Sequence, residues 1–304
     1  MSVTMILFQQ IAIMFLLAGI GYLMFFCKKI SPEGAKSLAN ILLYLSLPCV
    51  IIRGFLVERS PAATTALLVS AAAALVILGI SVLVSRIFFR KDPIANFAGA
   101  FSNPGFFGIP LITACIGEDA VFYIATFIAF LNLLQWTYGV HTLTGKTESL
   151  TPRKILTAPF MIATLIGIFF YFSGLAMPKL LYSCVSFLSG LNTPLAMFTI
   201  GIYLAQSNMA EMLKKRTLYQ ISLVRLVITP LLALGLLCLL PAKYSALKTA
   251  LLIAAACPVG SNVAVYAQLH NKDYPYAVET VVISTLFSAL TIPLLLQLAQ
   301  WLWQ

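Results

Sequence analysis

Hydrophobic residues fill this chain in long runs, and polar residues collect in short gaps between them. Runs such as Met5 to Cys27, Thr64 to Val84, Leu218 to Leu240 and Tyr276 to Leu298 reach the roughly 20 apolar residues with which a helix crosses about 30 Å of hydrocarbon. Read against helix breakers, the pattern predicts ten spans, near 5–27, 36–57, 62–89, 95–116, 120–143, 156–175, 180–205, 217–240, 245–269 and 275–301. The first run has no Lys or Arg before it and no small-residue cleavage site before Lys28, and it outlasts a signal-peptide core. It reads as a membrane helix rather than a leader.

Two of the runs are interrupted, at Ser102-Asn103-Pro104-Gly105-Phe106-Phe107-Gly108-Ile109-Pro110 and at Ala256-Cys257-Pro258-Val259-Gly260-Ser261-Asn262. The same offset separates Pro104 from Pro258 and Asp119 from Asp273. Proline lacks an amide hydrogen and collides with the preceding turn, while glycine loosens the backbone. The fourth span should therefore open at Asn103-Pro104-Gly105 and the ninth at Pro258 to Gly260. Unwound backbone survives in a bilayer where it lines a cavity, and a matched pair of interrupted helices is the pointer to a secondary transporter's binding site. The downstream half-helices should begin near Gly105 and Val259, aiming partly positive N-termini at the cavity. That field favours an anion such as a carboxylate. The carbonyl ends of the upstream halves suit Na⁺ or a proton carrier.

Composition agrees with membrane residence. Of 304 residues 61% are hydrophobic and 9% charged, with mean hydropathy +0.99, against about 25% charged in soluble proteins. The net charge of +10 comes from basic residues dispersed among short connections, which argues against a nucleic-acid surface. Counted with adjoining span ends, odd-numbered connections hold 13 Lys and Arg and even-numbered ones hold 5. Because cytoplasmic loops collect these residues, both termini are expected outside a cell membrane that the chain crosses many times. Five spans per half then force the second half to be inverted. The predicted organisation is a first repeat at 1–144, a short cytoplasmic linker at 145–154 and a second repeat at 155–304. Leu45-Ser46-Leu47-Pro48 against Leu191-Asn192-Thr193-Pro194 is a weak further echo. Gly145-Lys146-Thr147 in the linker is not a phosphate-binding loop, because Val140 stands where that loop requires glycine. The six cysteines include no CxxC pair, so neither a metal site nor a disulfide framework is expected.

Other polar residues lie within predicted spans. Arg225 stands about nine residues, or roughly 13 Å, into the eighth span, where a charge requires a partner or a wet cavity. Either it neutralises a substrate carboxylate or it is bonded to helix carbonyls or an acid. Glu279, near the start of the tenth span, is a coupling candidate or a helix-entry acid. Asn132 and Gln135, with Asn192 and Thr193, offer hydrogen bonds to a site or between helices. The candidate substrate site is thus Asn103, Pro104, Gly105, Pro258, Val259, Gly260, Ser261, Asn262, Asn132 and Arg225.

The stretches Ser102 to Leu111 (SNPGFFGIPL), Pro258 to Gln268 (PVGSNVAVYAQ) and Ser284 to Pro293 (STLFSALTIP), within a ten-span layout, resemble bacterial members of the auxin efflux carrier family. The resemblance covers nearly the whole chain. It implies an all-α integral membrane protein of ten helices in two inverted five-helix repeats, with broken helices four and nine crossing near the bilayer midplane. It also implies export or exchange of small organic anions, auxins in plants and dicarboxylates such as malate or malonate in bacteria. Asn103 and Pro104 match the family's first crossover directly, whereas Asn262 follows its proline by four residues. The long cytoplasmic loop of many plant carriers is missing.

The leading expectation is a secondary carrier of mono- or dicarboxylates working by alternating access. Its partners are the substrate anion and the lipid bilayer, with a homodimer left open. No cofactor or metal is expected, and Na⁺ or H⁺ coupling is undecided. A monovalent anion gains about 2.3 kcal/mol per 100 mV on leaving a negative interior, so efflux can run uncoupled while accumulation needs a driving ion. The alternatives are a Na⁺- or H⁺-coupled importer, a sensor that binds without transport, and an intramembrane enzyme. HExxH, GxSxG and paired intramembrane aspartates are all missing from the sequence, which disfavours the enzyme.

Overall fold

The computed structural model describes residues 3–145 and 157–303, so the predicted linker lies almost wholly outside the described residues. Most of these segments are helical. Helices α1 (Val3–Phe26), α2 (Pro32–Phe55), α3 (Pro61–Phe88), α4 (Pro93–Ala100), α5 (Pro104–Cys115) and α6 (Glu118–Thr144) form the first part. They are followed by α7 (Pro159–Ser173), α8 (Lys179–Gln206), α9 (Arg216–Leu237), α10 (Ser245–Ala256), α11 (Asn262–Leu269) and α12 (Tyr274–Trp303). Seven of them, α1, α2, α3, α6, α8, α9 and α12, are long and apolar enough to cross a membrane, and α5 and α7 are shorter apolar helices.

Local chemistry sets several helix starts. Ser31, Ser60 and Asp92 each precede a proline, and their side chains accept the backbone N–H of Gly34, Ala63 and Ala95 at 3.0, 3.0 and 2.9 Å. Such a cap is worth about 1 kcal/mol, and proline in the first turn gives up no intrahelical bond. Three further prolines stand just beyond widened turns, whereas Pro194 and Pro293 lie in regular α-helix. One π-helical turn runs over Leu42–Ser46 ahead of Pro48, another over Pro104–Gly108 ahead of Pro110, and a third over Val224–Ile228 ahead of Pro230. The missing proline N–H and the bulk of the ring disturb the ladder there, and a wider turn absorbs the disturbance.

Packing divides the helices into two groups. α1 lies along the second part of α8, while α2 packs on α7 and α8; α3, α4, α6, α9, α10 and α12 form a second set, which meets the first where α12 touches α1 and α8 and where α6 touches α2 and α7. α5 reaches across to α1 and α8. Small residues permit the closest approach: a methyl group at Gly201 would collide with the Ala18 carbonyl oxygen. Lipid tails are as apolar as leucine, so helix association in a bilayer rests on such close packing and on interhelical hydrogen bonds. Side-chain distribution follows the same logic. Leu16, Leu83, Leu180 and Phe187 point outward, whereas Ser70, Ser81, Thr229, Thr280 and Ser284 are buried.

Candidate functional site

The breaks expected from the sequence are present. Residues 101–103 separate α4 from α5, and residues 257–261 separate α10 from α11. The two openings touch: Ser102 and Val259 form an antiparallel bridge, and the Gly260 N–H donates to the Phe101 carbonyl at 2.9 Å. Pro258, Val259 and Gly260 are buried in this extended segment, and Ser284 Oγ of α12 accepts the Val259 N–H at 3.0 Å. α11 accordingly starts at Asn262, later than the expected Val259, because the intervening backbone is spent on the bridge.

Asn103-Pro104 repeats inside the protein the start signal that opens α2, α3 and α4. Asn103 Oδ1 accepts the Phe106 N–H at 3.3 Å, and its backbone carbonyl accepts from Phe107 and Gly108 at 3.0 and 3.1 Å. α11 begins without a side-chain cap; its first turn bonds Val263 N–H to the Gly260 carbonyl at 3.1 Å. Side chains from other elements complete the crossover. Asn192 Nδ2 of α8 donates to the Gly105 carbonyl at 2.9 Å, Asn262 Nδ2 donates to Gln135 Oε1 at 2.8 Å, and Asn132 Nδ2 donates to Ile128 of its own helix at 2.8 Å.

Several buried polar atoms at this place have no partner among the described residues: Asn103 Nδ2, Gln135 Nε2, Ser102 Oγ and Asn192 Oδ1. A buried unpaired polar atom costs about 1–3 kcal/mol unless water or a ligand meets it. Beside them lies a cavity of about 20 Å³ lined by residues that include Ser102, Asn103, Pro104, Gly105, Asn132, Gly260 and Asn262. That volume holds about one water.

Two larger clefts approach from different elements. One, of about 330 Å³, is lined by Gln10, Arg53, Thr113, Glu118, Asp119 and Asn192 among others. Arg53 is ion-paired with Glu118 there and donates to Ser189 Oγ at 3.4 Å. The other, of about 700 Å³, is lined by Lys36, Asn40, Tyr44, Tyr203, Gln268 and Tyr274 with their neighbours. A constriction containing Ser261 and Asn262 shares Ala39, Leu43, Thr199, Tyr203 and Val265 with that second cleft.

Two predicted residues are engaged elsewhere. Arg225, 1% exposed, lines none of these cavities. Its guanidinium donates to Ser81 Oγ at 2.9 Å, to the Ala100 and Gly99 carbonyls at 3.2 and 3.4 Å, and to the Ala255 carbonyl. Of the two sequence-derived roles, bonding to helix carbonyls is the arrangement seen. Glu279 accepts from Lys215 Nζ through both oxygens, at 2.8 and 2.6 Å. Ser284, Ser81 and Arg53 were not among the sequence candidates. A lone serine in an apolar run signals only a buried hydroxyl, and Arg53 reads as a span-end charge.

The family model described as "Membrane transport protein" matches residues 6–296. A Rhizobium meliloti protein named "Putative malonate transporter" is 27% identical over 289 residues, covering 88% of this chain and 87% of the relative. An uncharacterized transporter of Methanocaldococcus jannaschii is 26% identical over 310 residues, covering 95% of this chain and 98% of that one. A match along almost the entire chain, on a helical framework whose apolar faces turn outward, makes this a multi-pass member of the membrane transport protein family, to which the auxin efflux carriers belong.

Proposed function

We propose that the protein is a secondary carrier of small organic anions, mono- or dicarboxylates, working by alternating access through ten spans in two inverted halves. In this reading the broken fourth span is α4 with α5, and the broken ninth is α10 with α11. Residues 1–144 and 155–304 are the halves, joined by a cytoplasmic linker at 145–154. The antiparallel sense of the Ser102–Val259 bridge supports inversion. So does the packing, since α1 and α2 group with α7 and α8, their counterparts in the other half. The charge asymmetry of the connections supports outside termini and a cell-membrane location.

The observation that carries the substrate class is the pair of unpaired amide donors, Asn103 Nδ2 and Gln135 Nε2, beside two helix N-termini. Carboxylate oxygens accept such hydrogen bonds, and helix N-termini favour negative charge. The about 20 Å³ cavity is too small for any carboxylic acid, so this conformation is closed at the crossover. Relative movement of the two packing groups would open it alternately to the Arg53 cleft and to the Tyr203 cleft. The name of the Rhizobium relative makes malonate the first substrate to try. An uncoupled carrier of this kind exports anions down the membrane potential.

The test is flux from vesicles holding purified protein, with malonate, malate and a monocarboxylate, under imposed potentials of either sign. Saturable, potential-dependent carboxylate flux supports the reading. Binding without flux points to a sensor, and the lack of both removes the proposal's basis.

A further inference from the structure

Arg225 closes the ends of both upstream half-helices at once. α4 ends at Ala100 and α10 at Ala256, and the guanidinium bonds Gly99 and Ala100 from the first and Ala255 from the second. Ser81 Oγ of α3 joins the cluster, donating to the Ala100 carbonyl at 2.6 Å while accepting from Arg225. Four elements, α3, α4, α9 and α10, are thereby tied to one cation. Each helix C-terminus carries about half a negative charge, so two converging ends and one guanidinium are close to neutral together. Carbonyl and hydroxyl oxygens converging in this way are also the donor set that a bare alkali cation takes at the unwound carbonyl ends of transporter helices.

We infer that Arg225 is a tethered substitute for a coupling cation: its guanidinium holds the carbonyl ends of the crossover, so the carrier assembles its anion site without Na⁺. This deepens the proposed function and rests on reading α4 and α10 as the upstream halves of crossing helices. Arg225 is a positioning residue here, acting on the substrate only through the backbone it holds. The arrangement also explains how a charge is retained so deep in an apolar fold, since its Nη groups meet backbone acceptors and a hydroxyl. Nε is left without a partner.

The experiment compares melting temperature and malonate binding of purified wild type and Arg225→Ala in choline chloride, NaCl and methylguanidinium chloride. Wild type should melt and bind malonate equally in NaCl and choline. Arg225→Ala should melt lower by about 5 °C or more, recover in methylguanidinium, and acquire a several-fold dependence of malonate binding on a small cation, which a merely structural arginine gives no reason to expect. A wild type that Na⁺ stabilises over choline, or a variant that no small cation alters, overturns the inference. If Arg225→Ala does not accumulate, wild type decides: equal malonate affinity in both salts supports the inference, and tenfold tighter binding in Na⁺ overturns it. Should wild type bind no carboxylate in any salt, the substrate reading fails, while the melting temperatures still decide the role of Arg225.

Discussion

The Gly260 amide donates to the Phe101 carbonyl at 2.9 Å, so the two helix breaks, far apart in the chain, are joined by backbone alone. A methyl group at Gly260 would lie 2.8 Å from the Ser102 carbonyl oxygen and 3.4 Å from that of Phe101. Backbone oxygens cannot rotate away as side chains do. Gly260→Ala should destabilise the protein by about 1–3 kcal/mol and abolish flux, read by thermal melting and vesicle assay. Gly79→Ala is the control. It sits in α3 with nothing within 4 Å of an added methyl, and should be neutral or slightly stabilising.

Asn103 has two separable duties. Its Oδ1 caps α5, and its Nδ2 is unpaired. Asn103→Asp keeps the capping acceptor but replaces the free donor with negative charge. It should melt within a few degrees of wild type yet lose about tenfold or more in malonate affinity, a loss of at least about 1.4 kcal/mol. Asn103→Ala should lose affinity as well, with about 1 kcal/mol of cap stability. Unchanged binding in both variants would move the site away from the crossover.

In the smaller cleft Arg53 is shared between Glu118 and Ser189. Both partners of the ion pair reach solvent, with side chains 30% and 61% exposed, so its worth to stability is small. Its effect on anions is larger, because a cleft focuses the field of its charges. Glu118→Gln should raise the apparent affinity for a dicarboxylate presented from that side, and Arg53→Gln should lower it, each by about three- to tenfold. The difference should shrink as ionic strength rises, which initial rates in low and high potassium chloride would show.

Lys215 meets both oxygens of Glu279, whose side chain is only 9% exposed. Removing the cation strands a carboxylate that has little water. Lys215→Met alone should cost about 2–3 kcal/mol, less than a fully buried pair because Lys215 itself is 44% exposed. Adding Glu279→Gln should recover most of that. A double-mutant cycle on melting temperature measures the coupling, and additive losses would show that the pair is energetically idle.

Much of the framework was legible before any coordinates. The spans expected near 36, 62 and 95 overlap helices that open at Pro32, Pro61 and Pro93, and the structure shows that Ser31, Ser60 and Asp92 cap those starts. The breaks at Asn103-Pro104-Gly105 and Pro258 to Gly260 were legible from proline and glycine together, whereas Pro48, Pro110 and Pro230 stand within helices. Less visible was the start of α11, because the residues before it are recruited by a bridge to Ser102, a partner remote in sequence.

What the sequence by itself determined is therefore where the chain must open and that it must do so among apolar neighbours, because those properties belong to single residues and their adjacent bonds. Only the tertiary structure decided what each opened end would meet. By its position alone Arg225 suits either an anion or helix carbonyls, and packing brought Gly99, Ala100 and Ala255 to it. Ser284 and Gln135 acquired their partners in the same way. A hydrogen-bonding group inside an apolar fold must find whatever complementary atom packing delivers, and that atom's position in the chain leaves no local trace.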